Sequence, residues 1–232
     1  MYKNKKILGI IPARGGSKGV KRKNILKAGG RPLIAWTIVE AKKSRYLDRL
    51  ILSSEDSEII AVAKKWGCEV PFVRPKKLAK DETPGIEPVL HAIKTLPQKY
   101  DFVVLLQPTS PLRSVADIDG CIKRCVDGNF PACVSVTEPD KSPYWMYRIE
   151  KKGFIRPLLK SKRSATSRQQ LPKSYILNGA VYVADCKWLL HYKAFIAKGT
   201  VGYVMPKERS IDIDSELDLK LATLLMTGKT RK

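Results

Sequence analysis

The segment Phe102–Leu106, FVVLL, is apolar at every position. Side chains of an extended chain alternate between faces, so such a strand needs cover on both sides. That requirement calls for a sheet with helices above and below it. Other segments read as strands at Lys6–Ile11, Leu50–Ser53, Glu69–Val73, Cys133–Val136, Ala180–Ala184 and Val201–Met205. Between them, helical patterns run over Pro32–Ser44, Asp56–Trp66, Ile86–Thr95 and Val115–Val126, then from Cys186 and over Glu216–Met226. Pro32 suits a first helical turn, and Gly67 a helix end. The alternation predicts an α/β fold: a mostly parallel, Rossmann-like sheet with helices on both faces. Ligands of such sheets bind outside the carboxyl ends of the strands, where Arg14 and Gln107 fall.

One stretch interrupts the alternation. From Glu138 to Tyr175 the chain holds Pro139, Pro143, Pro157 and Pro172, the aromatics Tyr144, Trp145 and Tyr147, and a polar run over Lys160–Gln170. It reads as a hairpin and loop leaving the sheet, within one domain spanning 1–232. No internal repeat or low-complexity linker divides the chain. Apolar runs fall far short of a membrane span, and the start Met-Tyr-Lys-Asn-Lys-Lys lacks a signal-peptide core, so a cytoplasmic location with no membrane partner is expected. Five cysteines, with no CxxC pair, read as buried thiols rather than a zinc site.

The net charge of +22 raises the question of nucleic acid. The lysines are dispersed from Lys3 to Lys232, however, and rings do not interleave with cations as base stacking requires. A solvated surface, with a concentrated part serving an anionic substrate, is the better reading.

That concentrated part follows the first strand. Ile10–Asn24, IIPARGGSKGVKRKN, breaks at Pro12 into three glycines with Arg14, Ser17, Lys18, Lys21, Arg22 and Lys23. Glycines allow close backbone approach, and the cations neutralise phosphate. The spacing matches neither the phosphate loop nor the dinucleotide turn. A flexible basic loop is the plain alternative. Near the other end, Ser210–Leu219 reads SIDIDSELDL. Extended, it would put Asp212 and Asp214 on one face, where two carboxylates can hold a hard divalent cation beside phosphate. A half-exposed strand with an acidic face is the alternative. Ser215, three residues before Asp218, looks like a helix cap.

These motifs together resemble the acylneuraminate cytidylyltransferases. IPARGGSKG with Lys23 and Asn24, LLQPTSPLR (105–113), RQQLP (168–172), NGAVYV (178–183) and SIDIDSELDL occur in the family's order over essentially the whole chain. The resemblance implies CMP transfer from CTP to the anomeric hydroxyl of a sialic-acid-like nonulosonic acid, with release of pyrophosphate. It implies that Arg14, Ser17, Lys18 and Lys23 hold the phosphates, that Asn24 contacts the nucleotide, and that Arg74 lies near the cytosine. Gln107 and Arg168 would contact the sugar, and Asp212 and Asp214 would ligate Mg2+. Arg14, Lys23, Asp212 and Asp214 would then carry the chemistry. The element at about 138–175 corresponds to a dimerisation insertion that reaches the neighbouring subunit's site, so a homodimer is implied. Trp145 and Ile176 stand where sialic-acid-activating members carry lysine and arginine. Legionaminate, pseudaminate and Kdo-type acids therefore stay open as substrates, and a non-catalytic basic nucleotide- or RNA-binding protein is the rival class. His91 and His191 read as structural or surface residues, so no general base is evident.

Overall fold

The computed structural model of the protein describes residues 1–17, 19–159 and 171–229. Its centre is a six-stranded sheet built from β1 (Ile7–Pro12), β4 (Arg49–Ser53), β5 (Phe102–Leu106), β6 (Ala132–Thr137), β9 (Ile176–Asp185) and β10 (Thr200–Val204), ordered β10-β6-β9-β5-β1-β4. β5 is buried at every position, as its sequence requires. It runs parallel to β1, β1 runs parallel to β4, and β10 runs parallel to β6. β9 lies antiparallel to both β5 and β6. Five carboxyl ends thus share one edge of the sheet, and the start of β9 joins them there.

Helices cover both faces. α1 (Leu33–Lys42), α2 (Ser57–Lys65) and α4 (Val115–Asp127) press Ile34, Ile38, Ile59, Ala63, Ile118 and Ile122 against Ile7, Leu52, Val104 and Val181. On the other face α3 (Glu87–Thr95) and α5 (Cys186–Tyr192) bring Val89, Leu90 and Leu189 onto Leu8, Ile10, Val103 and Ala184. A smaller core joins α6 (Glu216–Lys229) to the short hairpin of β2 (Lys27–Ala28) and β3 (Arg31–Pro32): Met226 and Ala222 meet Ala28, Leu33, Leu112 and Ile213. All five cysteines are buried and free. Burial pushes the thiols of Cys68, Cys125 and Cys186 up to about 12, so they stay protonated and unreactive at neutral pH. Among the described residues no helix is long and apolar enough to cross a membrane.

One expected strand is not a strand. Of Glu69–Val73 only Glu69 bridges to the sheet, at Ile51, with Leu52 N donating to Glu69 O at 2.8 Å. Pro71, lacking an N–H, stops the ladder there. The acidic segment 211–214 is irregular, held by Ile213 N donating to Thr109 O at 2.9 Å. Ile213 is buried and Asp214 exposed, but Ile211 and Asp212 are both half-buried, so the expected two-faced alternation does not hold. Beyond it Ser215 and Asp218 cap α6 reciprocally: Ser215 N donates to Asp218 Oδ2 at 2.8 Å, and Asp218 N to Ser215 Oγ at 3.3 Å.

The excursion contains a hairpin of β7 (Tyr147–Ile149) and β8 (Ile155–Pro157), paired antiparallel from Tyr147↔Pro157 to Ile149↔Ile155. Every residue of both strands is exposed. The polar run that follows, with Arg168, lies outside the described residues.

Candidate active site

The basic loop leaves the carboxyl end of β1 and crosses the sheet edge toward the acidic segment. Its backbone touches that segment directly. A Cβ on Gly19 would lie 2.1 Å from the Asp214 carbonyl oxygen, so only glycine admits this approach. The Lys23 ammonium closes the same junction, donating to Ile213 O at 2.5 Å and lying 3.2 Å from Asp214 Oδ1. Segments almost two hundred residues apart in sequence thereby become one wall.

A cleft of about 430 Å³ opens at this edge, and Arg14, Ser17, Lys23, Asn24, Arg74, Gln107 and Asp214 all line it. Lys18 lies outside the described residues. Arg14 reaches over the mouth, pairing with Asp81 at 2.7 Å and donating to Ala79 O at 3.5 Å. Arg74 is buried, and its guanidinium is held by Glu55 at 2.5 Å and Ala13 O at 3.1 Å. Asn24 uses its amide to donate to Arg14 O at 3.0 Å, fixing the loop and leaving its Oδ1 available. Arg22 is not part of this cluster. It turns to the start of α2 and pairs with Asp56 at 2.5 Å and Glu58 at 2.7 Å. The N–H of Gly15 is likewise engaged, by Glu55 at 2.8 Å, so side chains rather than a full ring of amides supply the positive field.

Asp212 lines a second cleft, which shares the acidic segment with the first. Its Oδ1 is buried without a hydrogen-bond partner. Burial raises this carboxyl above its ordinary value, the Thr109 hydroxyl opposes the rise, and the Asp214 charge adds to it. An orphaned carboxylate oxygen costs free energy in the absence of a ligand, and hard oxygen donors of this type suit a divalent cation. Asp212 and Gln107 also converge on Gly179, near the start of β9. A Cβ there would lie 2.9 Å from Gln107 Oε1 and 3.3 Å from Asp212 Oδ2, and the residue's φ is +71°. Steric and backbone requirements both demand glycine at this junction.

Several residues that build the site carried no signal by themselves. Arg113, in the 105–113 motif, is buried and donates to Gln107 O at 3.1 Å, Ala180 O at 2.6 Å and Thr37 Oγ1 at 2.7 Å. Burial lowers its guanidinium to about 10, with Asp117 and Glu40 opposing the drop. Asp117, fully buried in the first turn of α4, accepts from Ser114 and from Arg209 Nε and Nη2, the last two at 2.8 Å. Asn178 links Ser135 at 2.6 Å to Ser210 at 2.9 Å. Ser114-x-x-Asp117 has the pattern of a helix start, a sign that could have marked Asp117. No histidine lines the first cleft; His91 packs edge-on against Phe72 at 5.0 Å.

A Rossmann-like sheet with basic side chains after its first strand, opposed by two carboxylates at the same edge, defines a nucleotidyltransferase. The family model described as Cytidylyltransferase matches residues 8–151. A pseudaminic acid cytidylyltransferase of Campylobacter jejuni is 35% identical, covering 95% of this chain and 96% of its own. A CMP-N,N'-diacetyllegionaminic acid synthase of Legionella pneumophila is 34% identical with the same coverage. An N-acylneuraminate cytidylyltransferase of Escherichia coli is 32% identical over 98% of this chain and 54% of its own length. Among solved structures, a CMP:2-keto-3-deoxy-manno-octonic acid synthetase complexed with CTP superposes with a TM-score of 0.74 over 97% of this chain and 99% of its own, at 14% identity, a likeness of fold. The chain belongs to the cytidylyltransferase family.

Proposed function

We propose that this protein transfers CMP from CTP to the anomeric hydroxyl of a nonulosonic sugar acid. The observation that carries the reading is the convergence of Arg14, Lys23, Gln107, Asp212 and Asp214 on one sheet edge, in two adjoining clefts that share the acidic segment. One cleft would take the nucleotide and the other the sugar. The anomeric oxygen forms a bond to the α-phosphorus while the bond from that phosphorus to the bridging oxygen breaks. Pyrophosphate departs with the electron pair, and the hydroxyl proton passes to solvent.

The side chains contribute chiefly by position and charge. Arg14 and Lys23, paired with Asp81 and Asp214 in the free protein, exchange those partners for phosphate oxygens and neutralise the charge that grows on pyrophosphate. Ser17, Lys18 and Asn24 complete the nucleotide's cradle, and Arg74, rigidly held by Glu55, lies by the base. Gln107 orients the sugar acid. Asp212, with its unpartnered oxygen, and Asp214 would hold Mg2+, with phosphates and water supplying the other ligands. Bound there, the ion supplies positive charge to the reacting phosphates.

A homodimer is part of the reading. Ile149, Phe154, Ile155 and Leu158 on and around the hairpin are between 57% and 78% exposed, an apolar surface that a second copy would cover. Arg168 would then serve the partner's sugar cleft. The enzyme works in the cytoplasm, where CTP is available.

The test is pyrophosphate release from CTP, UTP or ATP with a panel of nonulosonic and Kdo-type acids. CTP should be strongly preferred, and a nonulosonic acid should be required. Equal use of UTP, or tight RNA binding without turnover, would overturn the reading.

A further inference from the structure

Glu55 lies in the turn between β4 and α2, and its two carboxylate oxygens serve different elements. Oε1 accepts from Gly15 N, in the basic loop, at 2.8 Å. Oε2 accepts from Arg74 Nη2 at 2.5 Å and from Arg74 Nε at 3.2 Å. The same turn also holds Arg74 by its backbone, with Arg74 N donating to Ser54 O at 2.8 Å. Both side chains are shielded from water, Glu55 being 14% and Arg74 3% exposed. Arg74 lines the first cleft, and Glu55 is not among the lining residues. One carboxylate thus ties the basic loop to the arginine without meeting the cleft itself.

The tie decides which donors of Arg74 remain for a ligand. Its Nε and Nη2 are engaged by Glu55 and Ala13 O, while Nη1 has no hydrogen-bond partner among the described residues. A guanidinium donates and never accepts. Cytosine offers it two adjacent acceptors, N3 and O2, whereas uracil sets an N3–H donor beside its O2. A donor held in place tells these bases apart; one free to turn aside does not. Resting on the function proposed above, we propose that Glu55 is a positioning residue for the nucleotide. Its carboxylate holds the Arg74 guanidinium for the base and the basic loop for the phosphates, and so sets the preference for CTP over UTP. Misplacing such groups by about 1 Å costs up to about a hundredfold in rate.

The experiment measures pyrophosphate release with CTP and with UTP, and calorimetric binding of each nucleotide in the absence of sugar acid. Glutamine at this position keeps the shape but turns one oxygen into a donor, which must oppose either Arg74 or Gly15 N. Glu55→Gln should lower kcat/KM for CTP about tenfold to a hundredfold and the CTP-to-UTP ratio at least about fivefold, with the KM for the sugar acid unchanged. Glu55→Asp keeps the charge beside Arg74 but is too short to span both partners. It should recover most of the ratio while its Kd for CTP stays raised severalfold. Glu58 is exposed and pairs with Arg22, so Glu58→Gln should behave as the native protein. A native ratio in folded Glu55→Gln, or equal losses toward CTP, UTP and the sugar acid, overturns the inference and leaves the cytidylyltransferase reading standing. If Glu55→Gln does not fold, a native Kd for CTP in Glu55→Asp overturns it instead. Equal use of CTP and UTP by the native protein, or no pyrophosphate with any acid, would remove the functional reading and this inference with it.

Discussion

Arg209→Ala breaks the ion pair that anchors the chain just ahead of the acidic segment. Asp117 is fully buried, while the Arg209 side chain is 33% exposed. The substitution therefore strands a carboxylate that cannot reach water. Removing one partner of a buried pair costs about 3–5 kcal/mol, and the partial exposure of Arg209 reduces this to about 2–3 kcal/mol. For a chain of this size that loss lowers Tm by roughly 5–10 °C. The pH dependence identifies the cause. Burial alone would raise the Asp117 carboxyl, but Arg209 and Ser114 hold it below its ordinary value of 3.8. A lowered folded value contributes stability that is present above the unfolded value and lost as pH falls through the folded one. Without Arg209, only Ser114 still opposes burial and the carboxyl titrates higher, so the variant loses stability as pH rises through that value. The gap between native and variant proteins should thus be widest at neutral pH and close toward acid. Urea denaturation across pH measures it. A deficit that is constant with pH, or below about 0.5 kcal/mol at pH 7, would refute the assignment of the pair.

Asp212→Asn and Asp214→Asn should each lower turnover by orders of magnitude and raise the magnesium requirement with little change in Tm; native rates at limiting magnesium in both would remove the metal assignment. Arg14→Ala should raise the KM for CTP and lower kcat as well, because the charge it meets grows toward the transition state, whereas replacing the dispersed surface lysine Lys42 should alter neither parameter. Phe154→Asp combined with Ile155→Lys should convert a dimer to monomers in sedimentation analysis, and an unchanged mass would show that the hairpin is not the contact.

The sheet was legible because apolar runs such as FVVLL can satisfy both faces only one way. Its polarity was not: nothing in NGAVYV distinguishes a parallel strand from the antiparallel β9, although that reversal brings Gly179 and Asn178 to the site edge. The Glu69–Val73 run looked extended, and Pro71 was the overlooked signal against a ladder. In the basic loop, residue type indicated phosphate but could not assign each cation. Arg22 and Lys23 are neighbours, yet one pairs with Asp56, the cap of α2, and the other meets Asp214. The carboxylates that hold Arg14 and Arg74 come from distant turns, Asp81 and Glu55, and only the fold brings them near. Asp212 and Asp214 were identified together, but their spacing did not reveal that they line different clefts.

In the proposed reaction a sugar acid bound beside Asp212 attacks the α-phosphorus of CTP. Phosphorus-31 NMR of a reaction containing enzyme, CTP, Mg2+ and a nonulosonic acid tests it most directly. The three CTP resonances should give way to one pyrophosphate resonance and one phosphodiester resonance, the two products being equimolar, only when the sugar acid is present. Formation of CDP and orthophosphate, or loss of CTP at the same rate without the acid, would contradict it.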